Sequence, residues 1–155
     1  MDAMITATKE FNWSMSHMLA DHEGLCLNLH GHTYVMHVTA FHKPPHKVEP
    51  EGPARGMIVD FKELKHVVNE LIVDPLDHSF MGWEKSPDGC EQFIIGALRK
   101  FNRKLVLVDY RPTAESMAIN FLASLNARLD ELGADYHILS VKVWETATSF
   151  AEAIL

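Results

Sequence analysis

Two segments near the start of the chain alternate apolar and polar residues with a period of two, and nothing else in the sequence constrains the fold as much. In residues 4–17, Phe11, Trp13 and Met15 interleave with Glu10, Asn12, Ser14 and Ser16. That is the pattern of a strand with one buried face. Residues 32–42, rich in Thr, Val, Tyr and Phe, read as a second strand. A loop of about residues 18–29, carrying Asp21, Glu23, Gly24 and Asn28, joins them.

Downstream the period changes. Prolines 44, 45, 50 and 53 with Gly52 and Gly56 mark a turn-rich connection over 43–56. Asp60, with Glu63 three residues on, predicts a capped helix. Its apolar face is Phe61, Leu64, Val67, Val68, Leu71 and Ile72, and Pro75 is expected to stop it. A second helix is expected over 90–101, with Phe93, Ile94, Ala97, Leu98 and Phe101 facing inward. Residues 104–109 read as a short strand. Thr113 opens a third helix, with Met117, Phe121, Leu122, Leu125, Leu129 and Leu132 on one face and Gly133 just past its end. Residues 136–145 predict a long strand whose inner face is His137, Leu139, Val141, Val143 and Glu145, followed by an edge strand over 147–154. This order is not the strict strand–helix alternation of a doubly wound sheet. It predicts an α+β fold in one domain, residues 1–155: an antiparallel sheet with helices on one face.

Charge and composition exclude several function classes. Fourteen Lys and Arg against twenty-one Asp and Glu give a net charge of −7, the wrong sign for a nucleic-acid binder. No stretch approaches the apolar run of a membrane span, and the N-terminus lacks the basic start and apolar core of a signal peptide. Two cysteines, Cys26 and Cys90, make no disulfide framework, which points to a reducing compartment and a cytoplasmic protein.

Ten histidines are the unusual feature, and their placement is what matters. His30 and His32 flank Gly31, and residues two apart on a strand point to the same side. Their face continues through Tyr34, Met36, Val38 and Ala40. His17 belongs to the apolar face of the first strand. Three histidines from adjacent strands thus share the buried side, either as separate core residues or as ligands of one zinc. Three neutral imidazoles would leave zinc an open position, as in catalytic sites. Cys26, four residues before His30, is either a fourth ligand closing a structural site or a thiolate base activated beside the metal.

Two further features carry proton chemistry or recognition. In Leu76-Asp77-His78, a carboxylate adjacent to an imidazole can fix its tautomer and orientation; the plain alternative is polar surface. Glu145 ends an apolar strand face, where an unpaired charge is costly. It lies either in water or against a ligand with two adjacent N–H groups, which a carboxylate accepts well. Glu115, in the first turn of its helix, has a simple favourable interaction with the helix dipole.

Taken together in their order, these pieces resemble a known family. His17 in Ser-Met-Ser-His, Cys26 before His30-Gly31-His32, Gly56-Met57-Ile58-Val59-Asp60-Phe61, Leu76-Asp77-His78, Pro112-Thr113-Ala114-Glu115 and Trp144-Glu145-Thr146 are similar to the 6-pyruvoyl- and 6-carboxytetrahydropterin synthase family. The resemblance spans roughly residues 8–150. It implies the tunnelling fold, a four-stranded antiparallel sheet with helices on one face, whose subunits join edge to edge into a β-barrel homo-oligomer such as a dimer of trimers. It implies zinc on His17, His30 and His32, Cys26 as base, Asp77 and His78 as a proton relay, Glu145 anchoring the pterin, and Thr113 and Glu115 in the pterin pocket.

Loop length separates the branches of the family. As the resemblance has it, the 6-pyruvoyl enzymes carry five residues between the cysteine and the His-Gly-His motif and the carboxy enzymes carry three. Here Leu27, Asn28 and Leu29 are the three. The implied activity is a lyase of queuosine (7-deazapurine) biosynthesis. It would convert 7,8-dihydroneopterin triphosphate to 6-carboxy-5,6,7,8-tetrahydropterin with release of acetaldehyde and triphosphate. The alternatives are triphosphate elimination by a 6-pyruvoyltetrahydropterin synthase, and a non-catalytic zinc-stapled oligomeric binding protein. Arg55, Lys62 and His46 are candidate cations for the triphosphate.

Overall fold

The computed structural model describes residues 3–43 and 47–155. His46 and the Pro44-Pro45 part of the expected turn lie outside the described residues. The elements are β1 (Ala7–His17), a 3₁₀ turn (Leu25–Leu27), β2 (His30–His42), α1 (Phe61–Val68), a π turn (Asn69–Val73), the single helical turn α2 (Asp74–Leu76), β3 (Phe80–Trp83), α3 (Gly89–Lys100), β4 (Leu105–Val108), α4 (Ala114–Leu132), β5 (Tyr136–Thr146) and β6 (Ser149–Ile154).

All six strands form one sheet in the order β4-β3-β1-β2-β5-β6. The four long-range neighbours β1, β2, β5 and β6 are antiparallel, as expected. Beyond β1 the sheet gains two short parallel strands: β4, the strand expected over 104–109, and β3, which the sequence did not show. Phe-Met-Gly-Trp at β3 is too short to show a period in the sequence.

The alternation in β1 and β2 reports their inner face faithfully. Phe11, Trp13, Met15 and His17 are buried on β1, and Tyr34, Met36, Val38, Ala40 and His42 on β2. Trp13 stacks on Tyr34 across the ladder, 5.5 Å between centroids. Onto this face pack α1 and α4, whose Leu64, Val67, Val68, Met117, Leu125 and Leu129 complete the core. Burial of side chains this size stabilises by roughly 1.5–3 kcal/mol each before the cost of ordering the chain.

β5 departs from the expected face. Its pairing with β2 shifts between Thr39 and Ala40. The inner residues are therefore Tyr136 and Ile138 before the bulge and Val141 and Val143 after it, not His137 and Leu139. An extra residue in one strand reverses which parity faces the core.

The helices also differ in detail. The Asp60 side chain caps α1 by accepting from the Lys62 N–H, 2.8 Å, without a return bond from Glu63. Pro75 does not stop the helix; the chain widens into the π turn before it and ends at Leu76. α3 covers the other side of the sheet from α1 and α4. Ile95 packs there on Phe80 and Met18, with Ile94, Leu98, Leu105 and Leu107 around them. Phe93 and Phe101, expected inside, are exposed. Among the described residues, no helix is long and apolar enough to cross a membrane.

Candidate active site

The β1–β2 ladder ends at the pair His17–His30, with Met15–His32 two pairs in. The three imidazoles meet there: ring centroids are 4.6 Å apart for His17 and His30, 5.0 Å for His30 and His32, and 5.4 Å for His17 and His32. One donor nitrogen from each lies within 4.8 Å of the others. Gly31 lets the strands close at this point. A Cβ on it would come within 2.8 Å of the Met15 carbonyl oxygen.

Two of the rings are aimed by main chain. His17 Nδ1 donates to the Pro112 carbonyl at 2.8 Å and His30 Nδ1 to the Asn28 carbonyl at 2.7 Å. Both bonds fix the tautomer that leaves Nε2 with its lone pair, the usual support of a metal-binding histidine. His30 Nε2 and His32 Nε2 are buried with no hydrogen-bond partner. Orphaned buried nitrogens are uncommon and costly, and a bound cation satisfies them.

Electrostatics favour the same state. Burial pushes the His17 pKa down to about 4, with the neighbouring His30 and His32 adding to the fall and the Pro112 bond opposing it. Burial also lowers His32, against the pull of Glu145. Neutral imidazoles are the metal-binding form. Among the described residues these three form a metal-competent cluster, and Cys26 is not within it. An open three-histidine site therefore fits the donor set better than a site closed by the thiol.

Cys26 lies in the 3₁₀ turn, half-buried and free. Its carbonyl accepts from the Leu19 N–H at 2.9 Å, which closes the loop back toward the end of β1. Tyr34, fully buried, brings its hydroxyl to 3.3 Å from His17 Nε2. Burial, with Glu145 and Cys26 nearby, raises its pKa and keeps it protonated. Sequence reasoning counted Tyr34 only as part of an apolar face. The orienting carbonyls of Asn28 and Pro112 carry no side-chain signal at all.

Glu145 continues the inner parity of Val141 and Val143 on β5, at an irregularity in the β5–β6 pairing between Trp144 and Thr146. Its Oε1 is 3.5 Å from His32 Nε2, with the carboxylate about three-quarters buried. Thr113 caps α4 by accepting from the Ser116 N–H, 3.2 Å, one residue after the Pro112 carbonyl that holds His17. Glu115 is exposed in the first turn of α4.

Asp77 and His78 are not members of the three-histidine cluster and bond to Ser14 of β1. His78 Nδ1 meets Asp77 Oδ2 at 2.9 Å, and the imidazole is 82% exposed. The Ser14 N–H donates to Asp77 Oδ1 at 3.0 Å. That bond, then the His78 contact, holds the carboxyl below its ordinary pKa. The fold thus builds the pair and leaves the imidazole open to solvent, on the wall of an open pocket that it shares with Ser14, Gly31, His32 and Thr33. Arg55 and Lys62 are both exposed.

The family model of 6-pyruvoyl tetrahydropterin synthase matches residues 6–154. The chain belongs to this family. It is 36% identical over 149 residues to the 6-carboxy-5,6,7,8-tetrahydropterin synthase of Haemophilus influenzae, spanning 96% of this chain and 98% of that protein. A second protein of the same name, from Synechocystis, is 32% identical over 92% of this chain and 88% of its own. The 6-pyruvoyl tetrahydropterin synthase structure of Caenorhabditis elegans superposes with a TM-score of 0.65 at 21% identity, over 99% of this chain and 96% of that one, and establishes the shared fold.

Proposed function

We propose that this protein is a zinc-dependent 6-carboxy-5,6,7,8-tetrahydropterin synthase of the cytoplasm. It would convert 7,8-dihydroneopterin triphosphate to 6-carboxytetrahydropterin, acetaldehyde and triphosphate, in the pathway to queuosine. The observation that carries the reading is the open cluster of three imidazoles, two of them aimed by main-chain carbonyls, within a family whose relatives bear that name.

His17, His30 and His32 hold the ion. When bound, zinc supplies Lewis acidity toward the hydroxyls of the substrate side chain. Cys26, on a loop tied to the end of β1, moves a proton at the reacting carbon. His78, its tautomer fixed by Asp77, moves one from the other side through Nε2. Glu145 accepts the paired N–H groups of the pterin, and Thr113 and Glu115 line the ring's pocket. The three-residue spacer Leu27-Asn28-Leu29 sets which carbon the thiol reaches; a displacement of about 1 Å can change a rate on the order of 10²-fold.

Completion of the site by neighbouring subunits is part of this proposal. His78 faces outward. Among the described residues, β6 and β4 each pair on one side only, and Phe150 and Ile154 on β6 are exposed. Open edges of this kind invite pairing between copies. The β1 edge is covered at Ser14 and Ser16, where Asp77, His78 and Ser79 bond to it. A barrel of subunits would bring the Asp77–His78 pair of one chain to the zinc of the next.

Product analysis tests the reaction. Turnover of 7,8-dihydroneopterin triphosphate with an aldehyde trap should yield trapped acetaldehyde and 6-carboxytetrahydropterin by mass spectrometry. A 6-pyruvoyl product without acetaldehyde would replace the assignment by the pyruvoyl reaction.

A further inference from the structure

The 84–110 segment contributes to the fold through α3 and β4, but one of its side chains reaches the turn that carries Asp77 and His78. Lys104 Nζ donates to the Asp74 carbonyl at 2.6 Å and to the Asp77 carbonyl as well. These are carbonyls at the C-terminal end of the α1–π–α2 run, where helical acceptors lack partners and a cation is favourable. The main chain of Lys104 holds the other side of the same turn, since its carbonyl accepts from the Phe80 N–H at 3.2 Å.

The turn needs holding. His78 has φ +60°, a conformation that non-glycine residues adopt at a cost. On the β1 side it is fixed by His78 N–H donating to the Ser14 carbonyl at 2.7 Å and Ser14 N–H donating to Asp77 Oδ1 at 3.0 Å. The opposite side is fixed by Lys104. The placement of Lys104 is itself built in. Asn102 takes a left-handed φ of 51° as α3 ends, and Arg103 N–H closes back on the Leu98 carbonyl at 2.8 Å. That exit delivers the next residue to the Asp77 turn.

We propose that Lys104 is a positioning residue for the Asp77–His78 pair: its ammonium clamps the turn's carbonyls, so that the imidazole projects at a fixed angle from the edge of the sheet. The inference rests on the reading of Asp77 and His78 as the proton relay. Lys104 touches neither substrate nor metal in this role.

The test is steady-state kinetics on 7,8-dihydroneopterin triphosphate with Lys104→Met, Lys104→Arg and His78→Ala in the full-length protein, each checked for native circular dichroism. Misplacement of a proton-transfer group lowers kcat and leaves binding alone. Lys104→Met should lose kcat on the order of tenfold with KM within about twofold, and Lys104→Arg should recover most of it. Should Lys104→Met fail to fold, Lys104→Arg against Lys104→Gln gives the same comparison. If His78→Ala is inactive while Lys104→Met turns over normally, the inference falls alone. A raised KM at unchanged kcat would also overturn it, because Lys104 would then contact the triphosphate. Full activity in His78→Ala would remove the relay itself, and the inference with it.

Discussion

His17 and His30 face each other as the terminal pair of the β1–β2 ladder, their ring centroids 4.6 Å apart. The ladder register alone brings them together. Because His32 is two residues from His30 on the same face, one pairing scheme delivers all three imidazoles. A slip of one residue would send them to opposite sides of the sheet.

The metal assignment predicts that His30→Ala and His32→Ala lose zinc and retain the fold. Elemental analysis beside circular dichroism checks this. Full zinc content in both folded variants would dismiss the three-histidine centre.

Gly31→Ala tests the close approach that forms the centre. A methyl 2.8 Å from the Met15 carbonyl forces the strands apart, so the variant should lose about 1–3 kcal/mol of stability, the usual cost of overpacking. Urea unfolding of wild type and variant measures it, and an unchanged midpoint would contradict the geometry.

How much of this was legible in the sequence depended on the range of each signal. The faces of β1 and β2 follow from local alternation, which is why His17, His30 and His32 could be grouped. The β5 face could not be read, because the bulge opposite Thr39 and Ala40 shifts parity without leaving a Gly or Pro behind. β3 was hidden by its length, and α3 was misfaced because Phe93 and Phe101 are apolar yet exposed. Contacts such as His17 with the Pro112 carbonyl join main chain to side chain across 95 residues. No pattern in residue types encodes them.

Asp77 gives a pH-dependent prediction. Its folded pKa is lowered, so the stability it contributes is complete above its unfolded pKa of about 4 and is lost as pH falls through the lowered value. Relative to Asp77→Asn, wild type should hold a small advantage at pH 7 that closes under acid conditions. Denaturation at both pH values checks the direction; an advantage growing toward low pH would reverse the sign.

Subunit completion predicts complementation. Inactive Cys26→Ala mixed with inactive His78→Ala should regain partial turnover once subunits exchange. No recovery after exchange, verified by mass spectrometry of mixed oligomers, would confine the site to one chain.

Glu145→Gln should raise KM sharply with zinc retained, because an amide offers one acceptor where the pterin's paired N–H groups need two. Steady-state kinetics decide it, and an unchanged KM would free Glu145 from the ring.

The central claim is that the centre is open and catalytic, with Cys26 beside the metal and not bound to it. Zinc content and turnover of Cys26→Ala, with Cys90→Ala as control, test it most directly. The account predicts full zinc and a loss of turnover of roughly 10²-fold or more in Cys26→Ala, the scale of a general acid–base group, and little change in Cys90→Ala. Loss of zinc together with activity in Cys26→Ala would contradict it and make the site a closed structural one.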